Sequence, residues 1–124
     1  MDYKYWEDNQ GRSPVLVMVR EMEQTDARSA KSVTKHLQKL QKYPYEQLTR
    51  HKLVKKLKGK NPFKIHELRL TLPNKFARIF FIVARDTKAW LLHLIVKKSD
   101  STPPKDIQVA EDRAGDLDRR IRYL

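Results

Sequence analysis

The chain has 124 residues, with 27 Lys and Arg against 15 Asp and Glu, a formal net charge of +12 and a pI near 10. That length predicts one domain, residues 1–124, able to bury a core without staples. The lack of cysteine excludes disulfides, thiol catalysis, iron–sulfur clusters and cysteine zinc sites. The longest uncharged apolar run, Ala89–Val96, is too short for a membrane helix, and the polar, acidic start MDYKYWEDNQ is not a secretory signal. The expectation is a cytoplasmic protein, not a membrane one, whose excess charge points to a polyanionic partner.

In chain order, Asp2–Glu7 reads as a first strand, with Tyr3 and Tyr5 set against Lys4 and Trp6 and closed by the turn residues Asp8 to Gly11. Ser13-Pro14 starts a helix, Ser as N-cap and Pro at the first helical position. It runs to about Met22 and buries Val15, Leu16, Val19 and Met22. Thr25 or Asp26 caps a second helix, whose Ala30, Val33, Leu37 and Leu40 form one apolar stripe. Tyr43-Pro44 ends it, because the residue before proline disfavours the helical region.

Next comes Arg50–Lys64, RHKLVKKLKGKNPFK, with seven positive charges and no carboxylate. Leu53, Val54 and Leu57 interleave with the lysines, which predicts an anchored segment awaiting a counter-ion. Residues 1–99 carry 22 basic and 9 acidic side chains, and residues 100–124 carry 5 and 6, so the excess is not a solubilising tail.

The period then changes from helical to alternating. Phe63–Leu72 places Leu68, Leu70 and Leu72 on one face and Glu67, Arg69 and Thr71 on the other. Phe76–Arg85 and Ala89–Lys98 are apolar on both faces apart from Arg78, His93 and the terminal lysines, as in central strands covered on both sides. Short turns at Pro73-Asn74-Lys75 and Asp86-Thr87-Lys88 make these three strands an antiparallel meander. Pro103-Pro104 opens a last helix, about Lys105–Arg122. The order is β-α-α-β-β-β-α: an α+β domain with a twisted, mainly antiparallel sheet, an N-terminal helix pair and a C-terminal helix.

The informative residues are polar ones on strands built for a core. Arg69, Arg78 and His93, on successive strands, can converge on one sheet face. Lys97 and Lys98 finish the last strand, and Lys55, Lys56 and Lys58 enter from the basic segment. Glu67 offers Arg78 a structural ion pair as the alternative to a functional role. His66 faces solvent or the opposite sheet face, and His36 and His51 read as surface residues. There is no HExxH-type metal pattern and no glycine-rich phosphate loop, so neither a metal nor a cofactor is expected.

A metal-free cationic cluster suits RNA, which carries its own nucleophile in the 2′-hydroxyl. Cleavage needs a proton acceptor, a proton donor and cations for the phosphoryl charge. Arginine forks match phosphate oxygens, and histidine or a crowded lysine can move protons. Composition alone fits plain RNA or DNA binding equally well.

The ordered set KLKG (Lys56–Gly59), ELR (Glu67–Arg69), RI (Arg78-Ile79), LH (Leu92-His93), KKS (Lys97–Ser99) and TP (Thr102-Pro103) resembles the RelE/ParE toxin superfamily, in its HigB-type, phage-derived branch. Gly11–Val15 resembles that family's turn into its first helix. The resemblance spans nearly the whole chain and implies a RelE-like fold. It also implies a type II toxin that cuts mRNA in the ribosomal A site, as a ribosome-dependent endoribonuclease. Carried over by motif, Arg69 and Arg78 hold the scissile phosphate, His93, Lys97 and Lys98 line the same cleft, and Lys55, Lys56 and Lys58 grip the RNA backbone. The implied partner is a helix-turn-helix antitoxin, through which alone the protein meets operator DNA. Two residues depart from the pattern: Phe81 stands where a tyrosine is usual, and Ser101, beside Asp100, where a lysine is usual. The alternatives are a ParE-like toxin acting on gyrase without cleaving RNA, and a non-catalytic nucleic-acid-binding or operon-regulating module.

Overall fold

Ser13 begins α1 (Pro14–Thr25), its hydroxyl accepting the Leu16 N–H at 3.3 Å while Pro14 takes the first helical position. Asp26 separates α1 from α2 (Ala27–Lys42) and caps the second helix through both carboxylate oxygens, to the Ser29 N–H at 3.2 Å and the Ser29 hydroxyl at 2.6 Å. The elements that complete the chain are β1 (Tyr3–Tyr5), α3 (Tyr45–Arg50), β2 (Val54–Lys56), β3 (His66–Leu72), β4 (Lys75–Val83), β5 (Ala89–Lys97) and α4 (Pro104–Ile121). This computed structural model describes residues 1–57 and 63–121.

The five strands form one mixed sheet in the order β1-β5-β4-β3-β2, antiparallel throughout except that β1 runs parallel to β5. Helices cover both faces. The stripes of α1 and α2 meet Leu68, Leu70, Ile79, Phe81, Leu91 and Leu94 on one side. On the other, Ala110, Ala114 and Leu117 of α4 meet Phe80, Ile82, Leu92 and Ile95. This double cover explains why β4 and β5 are apolar on both faces. Among the described residues the fold is α+β, with four helices and a five-stranded sheet, consistent with the expected RelE-like arrangement.

Several boundaries differ from the sequence expectation. The first strand is only Tyr3–Tyr5, because Trp6 turns away to bury its ring under α4, where its indole N–H donates to Asp116 at 2.9 Å. α1 extends to Thr25, β3 starts at His66 instead of Phe63, and β4 and β5 end at Val83 and Lys97. Two elements were not foreseen, α3 and β2. Each offers one fully or nearly fully buried apolar residue, Leu48 and Val54, too few to show a period. β2 is an edge strand, and its exposed Lys55 and Lys56 discourage further strand pairing.

The β3–β4 hairpin turns on Pro73 and Asn74, Leu72 pairing with Lys75. Asn74 takes φ = 60°, a conformation asparagine tolerates better than most residues. The hairpin end is tied to the helix layer by Lys75, which donates to Asp26 at 2.5 Å. That bond, and then the Ser29 donors, lower the Asp26 pKa from 3.8 to about 2. A carboxylate with a depressed folded-state pKa contributes stability above its unfolded pKa and loses it as pH falls through the folded value. Thermal unfolding of wild type and Asp26→Asn should therefore differ by only a degree or two at neutral pH, since the pair is solvent-screened and asparagine still caps, with the difference closing between pH 3.8 and about 2. An unchanged difference down to the lower limit would refute the coupling.

Candidate functional site

The register of β3 and β4 sets Arg69 directly opposite Arg78. Strand alternation puts both on the sheet face that α4 covers, with Glu67, Thr71, Phe76 and Phe80. Directly opposed like charges destabilise a strand pair, so this placement calls for compensation. Arg78 is 2% exposed. Its Nη1 donates to the carbonyls of Ala77 at 2.8 Å and Leu70 at 3.4 Å, and its guanidinium lies 5.7 Å from the Phe76 ring centroid. Nη2 pairs with the Asp100 carboxylate, and Nε is buried without a partner among the described residues. Burial first, and Arg69 second, hold the Arg78 pKa below its ordinary value, while Glu67 pulls the other way; the group remains a cation.

The two guanidiniums open into a cleft of about 300 Å³ at the β2 side of the sheet. Its other walls come from α2 (His36), from the turn after α3 (His51, Lys52, Leu53), and from Thr71, Phe76 and Asp100. That turn is fixed by the Arg69 N–H, which donates to the Leu53 carbonyl at 2.8 Å. His36 and His51, read from the sequence as surface residues, both line the arginine cleft, His51 exposed and His36 half-buried. His36 Nδ1 donates to the Ser32 carbonyl at 2.8 Å, which leaves Nε2 carrying the lone pair. Burial, more than any neighbour, holds the His36 pKa below the usual histidine value and keeps the ring neutral.

The Glu67–Arg78 ion pair, the alternative to a functional role for Arg78, is not the pairing seen among the described residues. Glu67, 4% exposed, pairs with Arg69 at 3.7 Å, whereas the partner of Arg78 is Asp100. The reason is lateral. Glu67 and Arg69 are consecutive on one face of β3, while Glu67 stands across from Phe80, one face position away from Arg78. Glu67 also accepts from Thr102 at 3.3 Å, and Thr102 accepts from Lys97 at 3.5 Å. Burial, then the charge of Arg78, lower the Lys97 pKa, so this lysine gives up its proton more readily than a free one.

His93 shares the sheet face of the arginines but is bound into another network. A bulge between Phe80 and Phe81 admits Leu92 as an extra residue on β5: Phe80 pairs with His93 and Phe81 with Leu91. Leu92 therefore enters the core under α4, while the adjacent His93 stacks on Phe80 on that same side. Arg113 donates to His93 Nδ1 at 3.2 Å, so Nε2 carries the hydrogen and donates to Asp106 at 2.8 Å. Burial leads in lowering the His93 pKa. Both ring nitrogens are thus committed to α4, and His93 lines the Arg69/Arg78 cleft nowhere.

Of the remaining expected site residues, Lys98 is exposed just beyond β5, and Lys55 and Lys56 are exposed on β2, flanking the cleft side of the sheet. Lys58 lies outside the described residues. Asp106 and Arg113 had no sequence signal, since each acquires its part only through tertiary contact, whereas Lys52 belongs to the basic segment Arg50–Lys64. His66 is on the opposite face, buried and stacked on Phe81 at 5.3 Å. Among the described residues, no group of three or more His, Cys, Asp and Glu side chains is placed to hold a metal ion, and no helix is long and apolar enough to cross a membrane.

Comparison with known proteins gives one family. Residues 20–115 match the family described as phage derived protein Gp49-like (DUF891), a span that includes every cleft residue named above. No curated protein matches the chain significantly.

Proposed function

The chain belongs to the phage-derived Gp49-like family, and from that premise we propose that it is the toxin of a type II toxin–antitoxin module, an endoribonuclease that cuts mRNA on the ribosome. The family is compatible with the toxin of a toxin–antitoxin module. The observation that carries the catalytic reading is the opposed pair Arg69 and Arg78 at the floor of a cleft walled by two histidines. A sheet does not place two guanidiniums face to face for stability, whereas the extra charge of a phosphoryl transition state uses both.

In this reading Arg78 and Arg69 take the non-bridging oxygens of one phosphate. The 2′-hydroxyl loses its proton to a cleft base and attacks phosphorus. The P–O5′ bond breaks, the leaving oxygen is protonated, and a cyclic phosphate remains. Neutral His36, with its free Nε2, is the base the structure offers in place of His93. His51, which lines the same cleft, stands as the proton donor. Exposed Lys55 and Lys56 give salt-dependent grip on the RNA backbone. The partner in the cell is a helix-turn-helix antitoxin, with operator DNA reached through it.

Induced expression with primer-extension mapping of mRNA tests the reading. Growth arrest with discrete in-frame cuts that depend on translation is expected. Arrest with DNA-damage signals and intact mRNA would indicate a gyrase-directed toxin instead. Salt-sensitive RNA binding without arrest would indicate a binding module.

A further inference from the structure

We propose that the arginine cleft is a seat for one phosphate group which the protein fills with its own Asp100 carboxylate, so that a phosphate ligand enters only by displacing that side chain. The identity of the ligand rests on the reading of the cleft as an RNA-phosphate site; the displacement can be measured without any reaction.

Three observations support it. The first is the pairing itself. The two oxygens of one carboxylate take two different guanidiniums, Oδ1 that of Arg78 and Oδ2 that of Arg69 at 3.4 Å. This is how two oxygens of a phosphate bridge a pair of arginines. The second is an asymmetry of anchoring. Arg78 is buried and held by the Ala77 and Leu70 carbonyls, so it stays in place when its counter-ion leaves. The Asp100 side chain is 57% exposed, in a stretch where Lys98 to Ser101 are all exposed. Thr102, tied to Glu67 and Lys97, anchors the end of that stretch, so Asp100 can swing away without disturbing β5 or α4. The third is incomplete satisfaction: Arg78 Nε is buried without a partner among the described residues, so the Asp100 carboxylate leaves one donor of the fork unmet.

A competing internal ligand multiplies the apparent affinity by the fraction of time the seat is open. If Asp100 occupies the seat about nine-tenths of the time, its removal tightens phosphate binding about tenfold. Calorimetric titration with inorganic phosphate should show that gain for both Asp100→Asn and Asp100→Ala. Glu23→Gln removes one negative charge on the opposite layer and controls for net charge; it should change binding less than about twofold. The gain should vanish in the double variant Asp100→Ala/Arg78→Lys, which lacks the fork.

Asp100 variants that bind phosphate no more tightly than Glu23→Gln, while unfolding like wild type, overturn the proposal. A gain that survives in the double variant also overturns it, since the phosphate is then bound elsewhere. The same variants separate this idea from the nuclease reading. Tighter phosphate binding with no mRNA cleavage by any variant keeps the plug and removes the nuclease; cleavage by wild type with no gain in phosphate affinity does the reverse.

Discussion

Replacing Arg78 by alanine should lower mRNA cleavage in a translation reaction by about 100- to 1,000-fold, the loss seen when one preorganised donor to a transition-state oxyanion is removed. The size follows from burial. A guanidinium 2% exposed acts through a poorly screened field, and its position is set by two carbonyls before any ligand arrives. Arg78→Lys should lose nearly as much, because a point charge cannot span two oxygens. Arg69→Ala should lose less, about tenfold, since its side chain is 32% exposed and more strongly screened. Each substitution relieves a like-charge pair but also strips partners, Glu67 of Arg69 and the Ala77 and Leu70 carbonyls of Arg78, so a loss of cleavage counts only for protein that is still folded. Far-UV circular dichroism and urea unfolding check that point. Undiminished cleavage by Arg78→Ala would remove this site from the mechanism.

The second large effect concerns the core beneath the site. Phe80 has no exposed surface, sits between α4 and the sheet, and supports the His93 ring at a centroid distance of 6.0 Å. Phe80→Ala should cost about 3–5 kcal/mol, lost transfer energy plus the cavity left behind. Against the about 5–15 kcal/mol available to a domain, that brings the protein near its unfolding threshold. Urea denaturation should show the midpoint falling by about a fifth or more with the slope unchanged. Phe80→Leu should recover most of the loss. A midpoint within experimental error of wild type for Phe80→Ala would mean that the α4 layer does not pack as described.

The parts of this molecule that could be read from sequence are those with a local period or a local cap. Ser13-Pro14, the α2 stripe and the alternation of β3 each declare themselves within a few residues. The convergence of Arg69 and Arg78 was legible for the same reason, since two short turns fix which strands are neighbours. What stayed hidden depends on contacts between distant residues. His93 looked free because the bulge at Leu92 and the reach of Arg113 and Asp106 from α4 leave no local mark. His36 and His51 looked idle because a helical residue and a turn residue meet over β3 only after the sheet forms. Asp100 was visible as an anion at the rim of a basic site, but its grip on both arginines is a property of the folded loop.

The parallel pairing of β1 with β5 bears on the order of folding. Tyr3 lies beside Ala89, so the first strand to leave the ribosome waits for the last strand before it has a partner. Such a non-local pairing closes a long loop and is slow. The β3–β4–β5 meander, joined by short turns, pairs locally and needs no such wait. The opposed arginines therefore come together while the N-terminal edge is still open. Changes in Tyr3 or Tyr5 should slow completion of the sheet, yet leave the phosphate seat among the earliest tertiary features to form.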